Sequence, residues 1–385
     1  MEDPFLSIRP YNEREAKFAI CSLLEDPYFL SAIKYFSDQN SYNEIINDFH
    51  QVDSVYAFQY YIIKRFVNFV IEHSTDGITC SGLENLSPDE SYLFIGNHRD
   101  IVLDSAFLQQ YLLNSDFHTT KIAFGDNLIS SSALEVFFKI NKMFIVKRNG
   151  SIKEKLLNSH LLSEYIHYSL YEEKDSVWIA QGNGRTKNGI DKTQQGLVKM
   201  LADYSKHDIL AGIKALKIVP VSISYQYESC DQLKARELAL SENAEYVKSP
   251  GEDFASMKQG IFGYKGKVNL TVGNPIVEEI DSINPDLRPN DKIGEVCRLI
   301  DKQIHSHYKL YPNNFIAYDL LEKREDFGNQ YTPEEKIHFL EYIKKQSIVD
   351  DVSPSTMQDY LLRIYANPVR ISFGKDISIT DDNNW

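Results

Sequence analysis

The segment best equipped for chemistry is Asn97–Asp104, which reads Asn-His-Arg-Asp-Ile-Val-Leu-Asp. An apolar run typical of a β-strand precedes it at residues 92–95, and an amphipathic run typical of a helix follows at residues 105–113. A histidine with a nearby carboxylate can take a proton from a hydroxyl group. We therefore predict that His98 is a general base at the end of a strand, and that Asp104 or Asp100 orients it.

Two further segments carry cations where apolar strands end. Met143–Val146 is followed by Lys147 and Arg148, and the strand-like residues 177–180 lead into a glycine-bearing turn with Gly184, Arg185 and Lys187. A cation at a strand end lies at the edge of a cleft, and a turn of this kind can add backbone N–H groups for an anion. These residues therefore form a predicted phosphate-binding set, in which Arg148 and Arg185 are the strongest candidates.

These three segments, together with the proline-containing strand at residues 218–223, resemble in the same order the four blocks of the phospholipid/glycerol acyltransferases of the 1-acylglycerol-3-phosphate acyltransferase type. The first block is similar to a soluble bacterial branch of that family with an Asn-His-Arg-Asp-Ile-x-x-Asp box. The resemblance runs from Asn97 to Ile276, and it implies that Asn97 and Arg99 help to bind substrate beside His98.

The resemblance also implies the reaction. A fatty acyl group would move from a thioester donor, either acyl-CoA or acyl-carrier protein, to the hydroxyl of a glycerol-phosphate or lysophospholipid acceptor. Because the acceptor oxygen attacks directly, no nucleophilic serine or cysteine is required. The donor is a substrate, so the chain is expected to need no cofactor and no metal.

Two departures from the family pattern leave alternatives open. The family spacing is His-x-x-x-x-Asp, whereas Asp104 lies six residues after His98. If one residue bulges before the helix, Asp104 pairs with His98 and Asp100 caps the helix, which we favour; otherwise Asp100 is the partner. Asn183 stands where the family has a glutamate, and an amide cannot carry the negative charge of that residue. Either the acceptor is then not lysophosphatidate, or the fold binds lipid or acyl-carrier protein without turnover.

The pattern of the whole chain predicts an α/β fold with a mostly parallel central sheet. Helical periodicity dominates residues 13–74, short apolar runs alternate with helix-like segments over residues 77–276, and helices return after residue 282. We predict a helical N-terminal region at 1–75, an acyltransferase α/β domain at 76–280, and a helical C-terminal region at 281–385 with a polar tail. The predicted strands are 77–81, 92–96, 121–124, 143–146, 177–180, 218–225 and 267–272.

The composition of the chain excludes several classes of binding partner and site. A formal charge of −14 argues against nucleic-acid binding. No run reaches the roughly 18–20 apolar residues of a spanning helix, and the four cysteines lack metal-ligand spacing. A kinase reading of His98-Arg99-Asp100 fails because Ser105 stands where a kinase needs asparagine. We predict a cytoplasmic protein with peripheral contact to the inner face of the cytoplasmic membrane, mediated by aromatic side chains.

Overall fold

A central seven-stranded β-sheet organises the computed structural model, which describes residues 3–35, 39–205, 207–242, 246–249 and 251–374. The strand order is β1-β7-β6-β2-β5-β3-β4, and every neighbouring pair is parallel except β6 with β7. This confirms the predicted α/β class and mostly parallel sheet. The strands are β1 Ile78–Ser81, β2 Leu93–Gly96, β3 Lys121–Gly125, β4 Met143–Val146, β5 Val177–Ala180, β6 Ile218–Tyr225 and β7 Val268–Val272.

The sheet is covered on both faces, and β2 shows how the sequence encodes this. Successive side chains of a strand point to opposite faces. Phe94 packs in the hydrophobic cluster that includes the N-terminal helices, whereas Leu93 and Ile95 pack in the cluster on the other face. All four residues of β2 are buried, as expected for a central strand of a parallel sheet.

Helices before the sheet cover the first face. They are α1 Glu13–Glu25, α2 Pro27–Tyr35, α3 Gln39–Gln51, α4 Val55–Ala57 and α5 Lys64–Ser74, with a π-helical segment, Phe58–Ile63, joining α4 to α5. Val55, Phe58 and Val70 of this continuous stretch are buried against the sheet, while other aromatic residues of the stretch stay exposed. Its apolar periodicity therefore encodes packing on the domain.

Helices between and after the strands complete the layers. Those within the sheet region are α6 Leu103–Asn114, α7 Ser132–Ile140, α8 Ile152–Tyr171, α9 Gln195–Ala202, α10 Ile209–Ala215, α11 Asp231–Ser241 and α12 Glu252–Phe262. The later ones are α13 Val277–Asp281, α14 Pro289–His307, α15 Pro312–Glu322, α16 Pro333–Gln346 and α17 Pro354–Ser372. α15, α16 and α17 form a third hydrophobic cluster with part of α11. The predicted polar tail at 376–385 lies outside the described residues, and the predicted domain boundaries stay predictions.

The parallel arrangement brings the chemically interesting segments to one edge. The strands β2, β3, β4, β5 and β6 run in the same direction, so their carboxyl ends share one edge of the sheet. His98 follows β2, Lys147 and Arg148 follow β4, and Arg185 follows β5. In the described part of the chain, no helix is both long and apolar enough to cross a bilayer.

Candidate active site

The segment after β2 leaves the sheet as a loop before α6 begins at Leu103. The Nδ1–H of His98 donates to Oδ2 of Asp104 over 3.0 Å. Asp104 is the second residue of α6, so residues 97–102 form the extra length that the six-residue spacing requires. This geometry agrees with the alternative that we favoured, in which Asp104 and not Asp100 faces the histidine; the catalytic role of the pair stays a prediction.

The carboxylate of Asp104 is buried and held from several sides. Besides His98, its Oδ2 accepts the backbone N–H groups of Arg99 at 2.7 Å and Asp100 at 2.9 Å. Its Oδ1 accepts the hydroxyl of Tyr225, the last residue of β6, at 2.8 Å. Burial raises the pKa of Asp104, and the hydrogen bond and charge of His98 act in the opposite direction. These donors fix the carboxylate in one orientation toward the imidazole.

Asp100 has a structural place instead. Its Oδ1 accepts the backbone N–H groups of Val102 at 2.9 Å and Leu103 at 2.8 Å, at the start of α6. Its Oδ2 accepts the hydroxyl of Ser229. A side chain on Gly260 of α12 would collide with the same carboxylate, so the helix approaches closely there. Both oxygens of Asp100 are therefore bound away from His98, and the catalytic role that we left open for Asp100 stays a prediction that this geometry does not support.

Asn97 and Arg99 are buried and fully engaged with other groups of the protein, so the structure does not support the prediction that they bind substrate, which stays a prediction. Asn97 is fully buried and pairs with the backbone of Ile223 through its Nδ2, at 2.9 Å, and its Oδ1, at 2.8 Å. Arg99 is 1% exposed and donates to Asp191 at 2.6 Å and to Glu228 at 3.1 Å. Neither side chain has a polar group left that a substrate could reach.

A buried ionic cluster thus lies beneath the histidine loop. It consists of Arg99, Asp191, Glu228 and Lys234, two cations and two anions that are all nearly inaccessible to solvent. The Nζ of Lys234 donates to the carbonyl of Arg99 at 2.7 Å and to Glu228 at 2.6 Å. Opposite charges compensate each other in this cluster, which holds the backbone on both sides of His98 in place.

Sequence reasoning missed Asp191, Glu228, Lys234 and Tyr225. Asp191 follows the glycine-bearing turn after β5, and Tyr225 ends a strand that the sequence does predict. Burial of Asp191 and Glu228 could have been predicted only by knowing that they pair with Arg99, which lies 92 and 129 positions away in the sequence. Tyr225 carried a weak signal, because it ends an apolar strand at the edge where the chemistry was expected.

A cavity of about 1030 Å³ opens beside the imidazole of His98. This is at the upper end of the roughly 300–1,000 Å³ of ligand sites. Most of its wall is apolar and comes from the N-terminal helices, the His98 loop, α6, α7, α8 and the strands β3–β5. It includes Phe49, Ile62, Phe66, Val102, Phe137, Leu162 and Trp178. Polar groups line it where the strands end, and they include His98, Lys147, Arg148, Asn183 and Gln194.

The structure divides the predicted phosphate-binding set. Lys147 and Arg148 line the cavity, and Nζ of Lys147 donates to Ser7 at 3.2 Å. Burial lowers the pKa of Arg148, although the charges of Asp126 and Asp253 act to raise it. Arg185 is half-buried outside the cavity wall, and its Nη1 has no hydrogen-bond partner among the described residues. Both Arg148 and Arg185 lie within electrostatic range of Asp253.

The other two members of the set do not reach the cavity. Lys187 is buried in an ion pair with Glu237, and burial with neighbouring cations lowers its pKa to about 7. Gly184 occupies an exposed turn with φ +106°, outside the cavity wall. The cavity therefore gives no support to the prediction that Lys187 and Gly184 bind substrate, which stays a prediction. In the described ranges no group of three or more His, Cys, Asp or Glu side chains could hold a metal ion.

Comparisons with known proteins bear on this site. A family model described as Acyltransferase matches residues 77–224. Among solved structures, the chain is similar to the crystal structure of the 1-acyl-sn-glycerophosphate (LPA) acyltransferase PlsC from Thermotoga maritima, with 12% identity, a TM-score of 0.39, and coverage of 77% of this chain and 99% of that chain. A comparison with curated protein sequences gives no match.

The region that matches the family model contains the whole His98 loop and runs from β1 to within one residue of the end of β6. It therefore holds the histidine, its carboxylate partner and most of the polar cavity wall on one continuous domain. The family that we predicted from the sequence is confirmed for residues 77–224, the segment that matches the acyltransferase model.

Proposed function

We propose that this acyltransferase moves a fatty acyl group from a thioester, acyl-CoA or acyl-carrier protein, to the hydroxyl of a glycerol-phosphate or lysophospholipid-type acceptor. The observation that carries the proposal is the pairing of His98 with Asp104 in the wall of a large, mainly apolar cavity. Such a cavity suits a fatty chain, and the paired histidine suits removal of a proton from an alcohol.

The hydrogen bond between His98 and Asp104 supports a separate task for each ring nitrogen. An ionised carboxylate can only accept hydrogen bonds, so Nδ1 of His98 carries its proton toward Asp104 and Nε2 has a free lone pair. Nε2 takes the acceptor's hydroxyl proton as the oxygen attacks the thioester carbonyl. The C–O bond forms, the C–S bond breaks, and the thiolate leaves with the proton from the imidazolium. Asp104 stabilises that imidazolium in the meantime, as a triad carboxylate does.

The cavity wall offers two environments for the two substrate ends. Aromatic and aliphatic side chains from the N-terminal helices and from α6 and α7 can enclose an acyl chain, whose burial contributes about 0.8 kcal/mol per CH₂. The polar part, with Arg148, lies near the carboxyl ends of the strands. A substrate with an apolar tail and an anionic head fits this division.

Activity toward a panel of substrates tests the function. Purified protein is incubated with acyl-CoA or acyl-carrier protein and with glycerol 3-phosphate, lysophosphatidate, lysophosphatidylglycerol or an acyl-glycine-type lipid, and the products are identified by mass spectrometry. We expect one acylated, phosphate-bearing product that depends on the thioester. If substrates bind but no product forms with any pair, the chain is the binding protein that we kept as the alternative.

We expect Arg148→Ala to raise the KM for a phosphate-bearing acceptor by roughly 10- to 100-fold, because a charge-assisted hydrogen bond contributes about 1.5–3 kcal/mol. The KM for the donor should change little. Initial rates at varied acceptor and fixed donor measure this. Lys147→Ala is the matched control, since Lys147 also lines the cavity but its Nζ donates to Ser7. An increase confined to the KM for the donor would mean that Arg148 binds the donor phosphate instead.

We also propose that the protein contacts a lipid surface with the rim of the cavity. Along α8, residues 152, 156, 159, 163 and 166 are spaced by four and three and therefore share one face. Ser163 and Ile166 on this face are fully buried, but Ile152 is 82% exposed and Leu156 is 67% exposed. Ser159, between these two parts of the face, lines the cavity, so the exposed Ile152 and Leu156 lie on α8 next to the cavity wall.

The second part of the rim is α12. Its Phe254, 53% exposed, and Phe262 both line the cavity and face solvent. Arg148 connects the two parts, because its backbone N–H donates to Asp126 while the neighbouring Asn127 donates to Asp253 of α12. Exposed apolar side chains flanked by Lys153 and Lys155 suit the headgroup region of an anionic bilayer.

Vesicle binding tests the rim. The protein should co-sediment with phosphatidylcholine vesicles that contain phosphatidylglycerol. Leu156→Glu or Phe254→Glu should weaken binding about tenfold or more, since each replaces an apolar side chain that would be buried in the bilayer. High salt should weaken binding only modestly. Phe18→Glu is the control, because Phe18 is an exposed aromatic residue of α1 that does not line the cavity. Equal losses for all three variants would contradict docking through the rim.

A further inference from the structure

Tyr225, the last residue of β6, is connected to His98 through the side chain of Asp104. It is fully buried, yet its hydroxyl donates to Oδ1 of Asp104 over 2.8 Å. Asp104 in turn accepts Nδ1–H of His98 on its other oxygen, Oδ2. The three side chains therefore form a continuous chain from β6 through α6 to the imidazole.

The two oxygens of Asp104 are held in different ways. Oδ2 accepts two backbone N–H groups in addition to His98, and these donors belong to the same loop as the histidine. Oδ1 receives only the hydroxyl of Tyr225 among the hydrogen bonds found in the described residues. Without that donor, the carboxylate could rotate about its Cβ–Cγ bond and present either oxygen to the imidazole. Tyr225 therefore restrains the rotation.

Burial also fixes the direction of this hydrogen bond. Burial and the nearby charges of Asp104 and Asp100 raise the pKa of Tyr225 well above its usual value. The phenol consequently remains neutral and protonated at neutral pH, and its hydroxyl donates to Oδ1 of Asp104. A neutral donor stabilises the carboxylate without adding a charge that would compete with the imidazolium.

The position of Tyr225 in the sheet is rigid. β6 pairs with β2, the strand that delivers His98, and with β7 on its other side. Asn97, the residue before His98, also pairs with the backbone of Ile223, two residues before Tyr225. The end of β6 is thus fastened to the start of the histidine loop, so a donor placed on β6 keeps its distance from Asp104.

We propose that Tyr225 is a positioning residue for acyl transfer, which holds Asp104 so that its Oδ2 faces His98. This inference rests on the proposed role of His98 as the base. Tyr225 touches neither substrate, and its effect reaches the reacting hydroxyl only through Asp104 and the imidazole.

Tyr225→Phe removes the donor and keeps the ring that fills the core. We expect kcat to fall by roughly 10- to 100-fold, as for loss of a hydrogen bond to a charged group that orients a histidine, with both KM values nearly unchanged. The acidic limb of the pH profile of kcat/KM should move to higher pH. Without the phenol, more negative charge remains on Asp104, so the imidazolium is favoured and the base must be freed at higher pH.

Two controls separate positioning from a purely structural effect. Tyr92→Phe removes another buried hydroxyl, which accepts the backbone N–H of Ser87, and it should leave the pH profile in place. In an Asp104→Asn background, Tyr225→Phe should cause little further loss, because the group that it positions has already lost its charge. Multiplied losses, or a lower melting temperature without a shift of the pH profile, would overturn the proposal.

Replacement of Tyr225 by 3-fluorotyrosine covers the case in which Tyr225→Phe does not fold. The fluorinated phenol is a stronger donor of nearly the same shape, so the acidic limb should move to lower pH; an unchanged limb would also overturn the proposal. His98→Ala distinguishes failure of this inference from failure of the proposed function. If His98→Ala is fully active, the proposed function fails; if it is inactive but the Tyr225 variants behave as wild type, only the role of Tyr225 fails.

Discussion

His98→Ala should lower the rate of acyl transfer by about 10²- to 10⁴-fold, the usual contribution of a positioned general base. The variant should fold, because the imidazole is 13% exposed and belongs to no hydrophobic cluster of the core. Binding of the thioester donor should survive, since the apolar cavity wall is unchanged. Release of the free thiol from acyl-CoA or acyl-carrier protein measures the rate, and circular dichroism with thermal unfolding measures the fold.

His118→Ala provides the matched control for this variant. His118 is an exposed histidine of the same domain that lies outside the cavity wall, so its replacement should leave the rate unchanged. Full activity of folded His98→Ala protein would end the mechanism proposed for this site. A slow residual rate of His98→Ala is compatible with the mechanism, because positioning of both substrates in the cavity still contributes without the base.

The sequence predicted the positions of all seven strands because each is a short apolar run bounded by turn or helix signals. It could not predict their order, in which β5 lies between β2 and β3 and β7 runs antiparallel to β6. Order depends on crossovers that no local pattern records.

The candidate site shows the same limit at the level of single residues. Local reasoning identified His98 and favoured Asp104, because the loop, the cap and the helix start are all encoded within a few residues. The burial of Arg99 could not be predicted in this way, since a cation in a polar box resembles a substrate ligand when its partners are unknown. Asp191 and Glu228 lie far away in sequence and neutralise it only in the folded chain.

Because Arg99 is buried with its partners, its replacement should have a large effect on the free energy of unfolding. Arg99→Met should lower the free energy of unfolding by about 3–5 kcal/mol, the usual loss when one partner of a buried ion pair is removed. Asp191 and Glu228 would remain buried with Lys234 as the only cation of the cluster. Urea unfolding of wild type and variant at neutral pH measures the difference. Arg288→Met is the control, because Arg288 pairs with Asp291 on the surface and its loss should leave stability measurably unchanged.

The pH dependence of this loss identifies its cause. Burial alone would raise the pKa of Asp191, but the charge and hydrogen bonds of Arg99 outweigh burial and leave that pKa below its usual value. In the wild type, Asp191 therefore contributes stability above its unfolded pKa, and this contribution is lost as pH falls through the lower folded value. In Arg99→Met, burial dominates and the folded pKa lies above the unfolded one, so protonation favours folding. The gap between variant and wild type should consequently narrow as the pH is lowered from 7 to 5; a constant gap would show that lost packing around the arginine, and not its charge, maintains the loop beneath His98.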